Sequence, residues 1–333
     1  MKAIKADHGI SICLDVGITQ TRAWALQSGN IVAKAKVFEG IRGSIANENR
    51  APAINAIHAV IVECLEKMDG TQNFSALDFI SAAGMITSEL GPYPVSHIPG
   101  PAGMQQLSAN IAQRYFSTDR QIPLYLVPGI RFGNDCDPDA SDAIRGEETL
   151  VMGMLAIGHL APGDALLNLG SHWKFIGTNT ASEIIDSYTG MGGELMLAVS
   201  RETILKNNLP SERPDEFLEH ALKTGRDRAS RYGLSRTLFL SRMDSQRRAL
   251  PPQEIYWQLA GALIYDALVG LRLRLAGVKR LGISGYLPLA QAWAETLSPL
   301  GIESRIFSDD EVESSFCAGL RGIVAAHCRQ SVK

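Results

Sequence analysis

Several things are scarce in this 333-residue sequence, and each scarcity removes a class of function. No apolar run is long enough to cross a bilayer, so membrane insertion is excluded. Lysines and arginines gather into no stripe and the net charge is −3, which excludes a nucleic-acid surface. The five cysteines, Cys13, Cys64, Cys136, Cys317 and Cys328, form no CxxC pair, and the seven histidines are scattered. A disulfide framework and structural zinc are therefore not expected, and the thiols read as reduced and mostly buried. The P-loop pattern GxxxxGK[ST] is missing, and "GMGGEL" at 190–195 lacks the GxGxxG spacing of a dinucleotide fold. "MKAIKADHGISI" breaks at Asp7, His8 and Gly9 before a signal-like apolar segment forms, so an untargeted, cytoplasmic protein is expected.

What is present reads as a large α/β protein. Hydrophobic residues make up 45 % and charged ones 20 %, enough for two cores at this length and for a cleft between them. Strands are expected at "ISICLDVG", "TRAWALQ" and "IVAKAKVF", joined by turns so short that they must be antiparallel. Ile54, Ile57, Ile61, Cys64 and Leu65 recur at helical spacing over 51–68, and "DFISAAG" follows as a strand. A helix is expected near 102–116, then the strand "LYLVPGI". Polar, turn-rich "GNDCDPDASD" marks a linker, which places an N-terminal lobe at 1–139, a C-terminal lobe at 140–310 and a last helix at 311–333. The second lobe would open with a helix over 142–158. It continues through strands "DALLNLG", "HWKFIGT" and "SEIIDSY", a long helix at 252–276, "VKRLGISG" and the helix "LPLAQAWAETL".

The two lobes begin alike. "ICLDVGITQTRAWAL" and "ALLNLGSHWKFIGT" each run from an apolar strand through a polar residue and a Gly turn with hydroxyl side chains into a second strand. Such an echo suggests a duplicated architecture with a turn from each lobe facing a common cleft, the alternative being two hairpins that agree by chance. Backbone N–H groups in these turns can converge on an anion, with Gly17 and Gly170 giving close approach and Thr19, Thr21 and Ser171 adding donors. A carboxylate beside a phosphate site calls for a divalent cation, so Asp15 would serve Mg²⁺ through water, unless it simply caps the turn. Gly282, Ser284 and Gly285 lie between a strand and a helix, where backbone can pass close to a flat ligand or a phosphate, or merely connect tightly. In "DAIRGEETL" a carboxylate could accept a proton from a substrate hydroxyl, and Arg145 could pair with a substrate carboxylate. The competing reading is a capped helix with Asp142 near its start and Arg145, Glu147 and Glu148 on a solvated face. His172 and Lys174 fall on one strand face opposite Trp173. The histidine could act as base or donor, and the lysine could touch a phosphate or lie on the surface.

In order, "DVGITQTRAW", "AAGMITSELG", "VPG", "DAIRGEET", "GSHWKF" and "TG" followed by "GEL" resemble the 2-dehydro-3-deoxygalactonokinase family of sugar-acid kinases. That family lies in the acetate and sugar kinase/Hsp70/actin superfamily. The resemblance implies a two-lobed actin-like ATPase (ribonuclease H-like) fold with ATP and Mg²⁺ in the cleft, and transfer of the γ-phosphoryl to a sugar-acid hydroxyl. It implies that Asp15 to Thr21 and Gly170 to Ser171 clamp the phosphates, that Gly282 to Gly285 lie near the adenosine, and that the final helix packs back on the first lobe. By the same resemblance Asp142 is the leading base with Glu147 and Glu148 as rivals. Arg22, Arg145 and Lys174 would face the acid or the moving phosphate, and Thr87 and Ser88 the sugar hydroxyls. Val16 and Ile18 depart from the family, which carries Trp after the first Asp and a hydroxyl residue after the first Gly. The expected reaction is phosphorylation of 2-dehydro-3-deoxy-D-galactonate or a close relative at its terminal hydroxyl. A kinase for a different small sugar or acid, or a non-catalytic nucleotide or sugar-acid sensor, are the alternatives. The expected partner is a small-molecule sugar acid, with a homodimer left open.

Overall fold

A computed structural model of the chain describes residues 9–330 except 48, 71–73, 75, 76, 119 and 135. The reading of the extreme N-terminus, Asp135 of the expected linker and 331–333 of the expected last segment lie outside the described residues. The chain divides into two compact units, one of Met1–Gly163, Thr178–Asp186 and Asp310–Lys333, the other of Asp164–Gly177 and Ser187–Asp309.

In the first unit the elements run β1 (Ile10–Val16), β2 (Thr21–Gln27), β3 (Asn30–Val37), α1 (Arg42–Asn47), α2 (Ala51–Asp69), β4 (Leu77–Gly84), β5 (Ile98–Pro99), α3 (Met104–Ala109), β6 (Ala112–Ser117), β7 (Gln121–Leu126), β8 (Ile130–Asn134), β9 (Asp137–Ile144) and α4 (Glu147–Ala156). There follow β10 (Ala165–Leu169), β11 (Trp173–Thr178), β12 (Ile184–Gly190), α5 (Gly192–Glu202), α6 (Glu219–Tyr232), α7 (Leu234–Arg248), α8 (Pro252–Leu275), β13 (Arg280–Gly285), α9 (Leu287–Leu297), β14 (Glu303–Ile306) and α10 (Asp309–Gln330).

The first sheet has the order β3-β2-β1-β4-β7-β6 and the second β12-β11-β10-β13-β14. Apart from the added edge strand β6, the two orders are the same. In both, the first strand pairs antiparallel with the second (β1 with β2, β10 with β11) and parallel with the strand that returns after the helices (β4, β13). The echo of the two glycine turns is thus the trace of a repeated sheet.

Strand alternation divides the faces. Ile12, Leu14 and Val16 of β1 join Ile80 and Ala82 of β4 under Ile57, Val60, Ile61 and Leu65 of α2. Each fully buried Ile or Leu there contributes about 1.5–3 kcal/mol. On the other face Cys13 stands beside Trp24 and Ser81, and α10 covers it, with the Phe316 ring 5.7 Å from that of Trp24. The last helix therefore packs within the first unit. In the second unit the core gathers Leu167, Leu169 and Phe175 with Trp257 and Leu263 of α8 and Trp293 of α9.

Three expectations need correction. The helix expected over 102–116 is only α3, followed by the edge strand β6, which pairs antiparallel with β7. Leu107, Ile111 and Tyr115 recur every fourth residue, but β6 needs to bury only Phe116, so its pattern carries no alternation. The expected linker is instead the hairpin β8–β9, which with β5 forms a small sheet of order β5-β8-β9 anchored by fully buried Ile130 and Ile144. Consequently Asp142 lies in strand β9 opposite Phe132, not at the start of a helix, and α4 begins at Glu147 inside the first unit. Compactness divides the chain after Gly163 rather than at 139/140, because β8, β9 and α4 pack with the first sheet's unit.

Candidate active site

The first glycine turn is braced from below. Gly17 donates its N–H to the Gln20 carbonyl at 2.8 Å, while the Gly17 and Ile18 carbonyls accept from Ile41 and Arg42 at 3.1 and 3.0 Å. A side chain at Gly40 would sit 2.3 Å from the Gly17 carbonyl oxygen, so only glycine lets that segment pass under the turn. Thr21 is fully buried and its hydroxyl donates to the Glu39 carbonyl at 2.8 Å, which makes it a tie in the fold rather than an open donor. Thr19 stands exposed at the tip. Val16 points into the core, so the departure from the family at this position changes packing beneath the turn, while Ile18 is half-buried.

Asp15 closes β1 directly opposite Arg22, whose Nη2 and Nε lie 2.5 and 3.1 Å from Asp15 Oδ2. The Arg22 guanidinium also lies 5.7 Å from the Trp24 ring centroid. Beside Asp15, β4 ends at Gly84 with φ 87°, where a Cβ would meet the Val16 carbonyl oxygen at 2.6 Å and Asp15 Oδ1 at 3.1 Å. Gly146 approaches Gly84 from the other side, its own Cβ position 3.2 Å from the Gly84 Cα. Two glycines back to back thus bring the start of α4 next to the end of β1.

At that helix start the carboxylates turn back on the backbone. Glu147 Oε2 accepts the Arg145 N–H at 3.0 Å, and Glu148 accepts the Gly146 N–H at 2.7 Å and the Thr149 hydroxyl at 3.1 Å. These amides lie at the N-cap of α4, Gly146, and at the residue before it, the end of a helix where negative charge is favoured. Glu147 is half-buried, whereas Glu148 is fully enclosed. Burial, with the neighbouring Glu147 charge added, pushes Glu148 up to about 7. Asp142 accepts the Ala143 N–H at 2.8 Å.

Arg145 Nη1 donates to the Thr87 carbonyl and hydroxyl, both at 2.6 Å, and lies 3.2 Å from the Val95 carbonyl, while Nη2 is 3.0 Å from the ring nitrogens of His97. Thr87 passes its own proton to the Gly84 carbonyl at 3.1 Å and Ser88 donates to the Met85 carbonyl at 2.8 Å. Both hydroxyls are engaged within this loop.

The second unit repeats the first turn's construction. A Cβ at Gly193 would lie 2.3 Å from the Gly170 carbonyl oxygen, the same distance as at Gly40, and Glu194 donates to the Ser171 carbonyl at 2.9 Å. Gly285, with φ 129°, is paired with Leu169 as Gly84 is with Val16, and its Cβ would meet the Leu169 carbonyl oxygen at 2.7 Å. Ser284 donates to Asn168 at 3.0 Å, and Asn168 faces Lys174 across the ladder, so Lys174, Asn168 and Ser284 form a polar row on one sheet face. Gly282 is buried in the middle of β13, opposite Leu166. His172 lies in the turn ahead of β11, so strand alternation does not pair it with Lys174. Reading the sequence missed Gly40, Gly84, His97, Gly146, Gly192 and Gly193 as parts of these turns. The signal for Gly193 is present in "TG" followed by "GEL".

Among the described residues no group of three His, Cys, Asp or Glu side chains is placed to enclose a metal. Asp15 alone suits an ion held mainly by water and phosphate oxygens, which is how Mg²⁺ is commonly bound. No helix among the described residues is long and apolar enough to cross a membrane.

A sheet repeated in two units, each closing on a glycine turn, is the actin-like ATPase fold, shared by sugar kinases and dehydratase activators. The fold matches that of a Sinorhizobium meliloti protein provisionally named a 2-dehydro-3-deoxygalactonokinase, at 21 % identity over 94 % of this chain and 99 % of that one, with a TM-score of 0.72. It also matches the activator of the 2-hydroxyisocaproyl-CoA dehydratase from Clostridium difficile with bound ADPNP (11 % identity, 97 % and 98 % covered, TM-score 0.54). A third match is component A of the (R)-2-hydroxyglutaryl-CoA dehydratase of Acidaminococcus fermentans (16 %, 96 % and 99 %, 0.53). The chain belongs to the 2-keto-3-deoxy-galactonokinase family, whose model spans residues 15–323. It is a sugar-acid kinase, a phosphotransferase with an alcohol group as acceptor. No curated protein sequence matches it.

Proposed function

We propose that the protein transfers the γ-phosphoryl of ATP to the terminal (6-) hydroxyl of 2-dehydro-3-deoxy-D-galactonate or a close 2-keto-3-deoxy sugar acid, with Mg²⁺. Family membership across almost the whole chain supports the kinase chemistry, and it implies ATP. The observation that carries the assignment of roles is the meeting of Asp15, Gly84 and Gly146, which sets the glutamates of "RGEE" beside the first glycine turn.

Phosphoryl transfer asks a protein chiefly for in-line positioning and for charge stabilisation. Mg²⁺ bound with the nucleotide would neutralise charge on the phosphates, with Asp15 holding it through water. The candidate phosphate donors are Thr19 in the first unit and, in the second, Gly170, Ser171 and Lys174, with Gly282 to Gly285 the candidate adenosine contact of the second unit. Glu147 is the carboxylate a substrate can touch, and it takes the proton of the attacking hydroxyl. Asp142, the leading candidate from the sequence, loses that place because it lies in a strand. The acid's carboxylate would be met by Arg22 of the first unit, and His172 is the second unit's candidate for the same role. Such a kinase would work in the cytoplasm in galactonate degradation, its product feeding an aldolase.

ADP release against a panel of aldonic and 2-keto-3-deoxy acids tests the reading, with Asp15→Asn and Glu147→Gln beside the parent. Stimulation by the galactonate derivative and loss of turnover in both variants are expected. A neutral hexose outperforming every acid, or ATP binding without turnover on any acid, would overturn it.

A further inference from the structure

The two units differ most where their repeated sheets are compared strand by strand. In the second, β13 runs through Gly285 into α9 within two residues. In the first, β4 runs through Gly84 into a loop that ends on the small sheet, and the hairpin β8–β9 intervenes before α4. These additions form a platform without a counterpart in the second unit. Arg145, the residue between the hairpin and α4, is where that platform is tied to the glycine pair.

We propose that Arg145 is a positioning residue for phosphoryl transfer, one that holds Glu147 in place by clamping the Thr87–His97 loop to the start of α4, and not a ligand of the substrate. This rests on the function proposed above. The side chain ties three points of the loop, Thr87, Val95 and His97, with one planar fork. Thr87, fully buried, relays the tie to the carbonyl of Gly84, the glycine whose Cβ position lies 3.1 Å from Asp15 Oδ1. At the other end of the same residue, the Arg145 backbone N–H holds Glu147 Oε2. One residue thereby links the proton acceptor to the glycine on which Asp15 leans. The guanidinium's partners are buried or half-buried, and removing it takes one charged donor away from Thr87, Val95 and His97 together. Lysine keeps the charge but cannot span three acceptors, so it separates clamping from electrostatics.

The experiment compares Arg145→Lys, Arg145→Gln and Thr87→Val with the parent, using ATP and 2-dehydro-3-deoxy-D-galactonate. It measures kcat, both KM values, melting, and amide hydrogen exchange at 85–97 and 145–148. Arg145→Lys should lower kcat on the order of 10²-fold, the cost of displacing a reacting group by about an ångström. Both KM values should stay within about threefold, as expected when an interaction that matters only in the transition state is lost. Exchange should quicken at 145–148 and stay unchanged at 17–20, and Thr87→Val should reproduce the pattern in weaker form. A rise in KM for the acid with kcat retained would make Arg145 a substrate ligand and overturn the proposal. So would unchanged exchange at 145–148 in folded Arg145→Lys. A parent protein that phosphorylates no acid would instead sink the proposed function, leaving exchange and acid-independent ATP hydrolysis to decide whether the clamp exists.

Discussion

Replacing Glu148 by glutamine should make the protein more stable, and the gain should depend on pH. The carboxyl is fully enclosed, and its pKa moves from 4.5 to about 7 on folding. The folded state thus binds the proton more tightly than the unfolded chain, and ionisation at alkaline pH works against folding. At about 1.4 kcal/mol for each pH decade between those values, the cost approaches roughly 3 kcal/mol above pH 7 and fades as pH falls toward the unfolded value. Glutamine removes the charge while its carbonyl can still accept the Gly146 N–H, and its amide can donate to the Thr149 hydroxyl. Chemical denaturation at about pH 8 should show a gain of about 1–3 kcal/mol, and at about pH 5 a gain below about 1 kcal/mol. A gain independent of pH, or a loss at pH above 7, would refute the view that Glu148 ionises at a cost inside the fold. Activity should survive if, as proposed, Glu147 is the carboxylate that meets the substrate.

Glu147→Gln should reduce kcat by about 10²-fold or more while ATP binding measured by calorimetry is unchanged. The two threonines of the first turn should part company. Thr21→Val loses the bond to the Glu39 carbonyl and about 1 kcal/mol of stability, whereas exposed Thr19→Ala should raise the KM for ATP and leave the denaturation midpoint where it was. Gly84→Ala forces a side chain against the Val16 carbonyl at a positive φ and should cost about 2 kcal/mol or more in denaturant titration, along with activity.

Much of this fold is legible in the sequence because its strands bury one clear face. Val16, Leu14 and Ile12 alternate with Asp15 and Cys13, and "LPLAQAWAETL" coincides with α9 residue for residue. The hairpin β8–β9 is not legible, since Ile130 and Ile144 hold it while most of its other residues are polar, and polar residues without period read as linker. The same gap misplaces the helix that follows. With most of β9 read as linker, Asp142 looks like a helix start, a position that belongs to Glu147. Thr21 and Thr87 illustrate a second limit. A hydroxyl near a turn reads as a ligand donor, and only the path of distant backbone, at Glu39 and at Gly84, shows it to be spent. The two glycine turns themselves are legible because glycine at the end of an apolar strand leaves a mark that packing does not blur.

The placement of α10 bears on how the chain comes to be folded at all. The first sheet is complete by Leu126, yet Phe316, which covers its Trp24 face, is translated about 190 residues later. During synthesis that sheet has α2 on one side and lacks its α10 cover on the other, while 164–177 and 187–309 can close on each other before the end is reached. The half made first is therefore finished last. A nascent or truncated chain lacking its final helix would present an apolar sheet face, the kind of surface that chaperones hold and that aggregation otherwise claims.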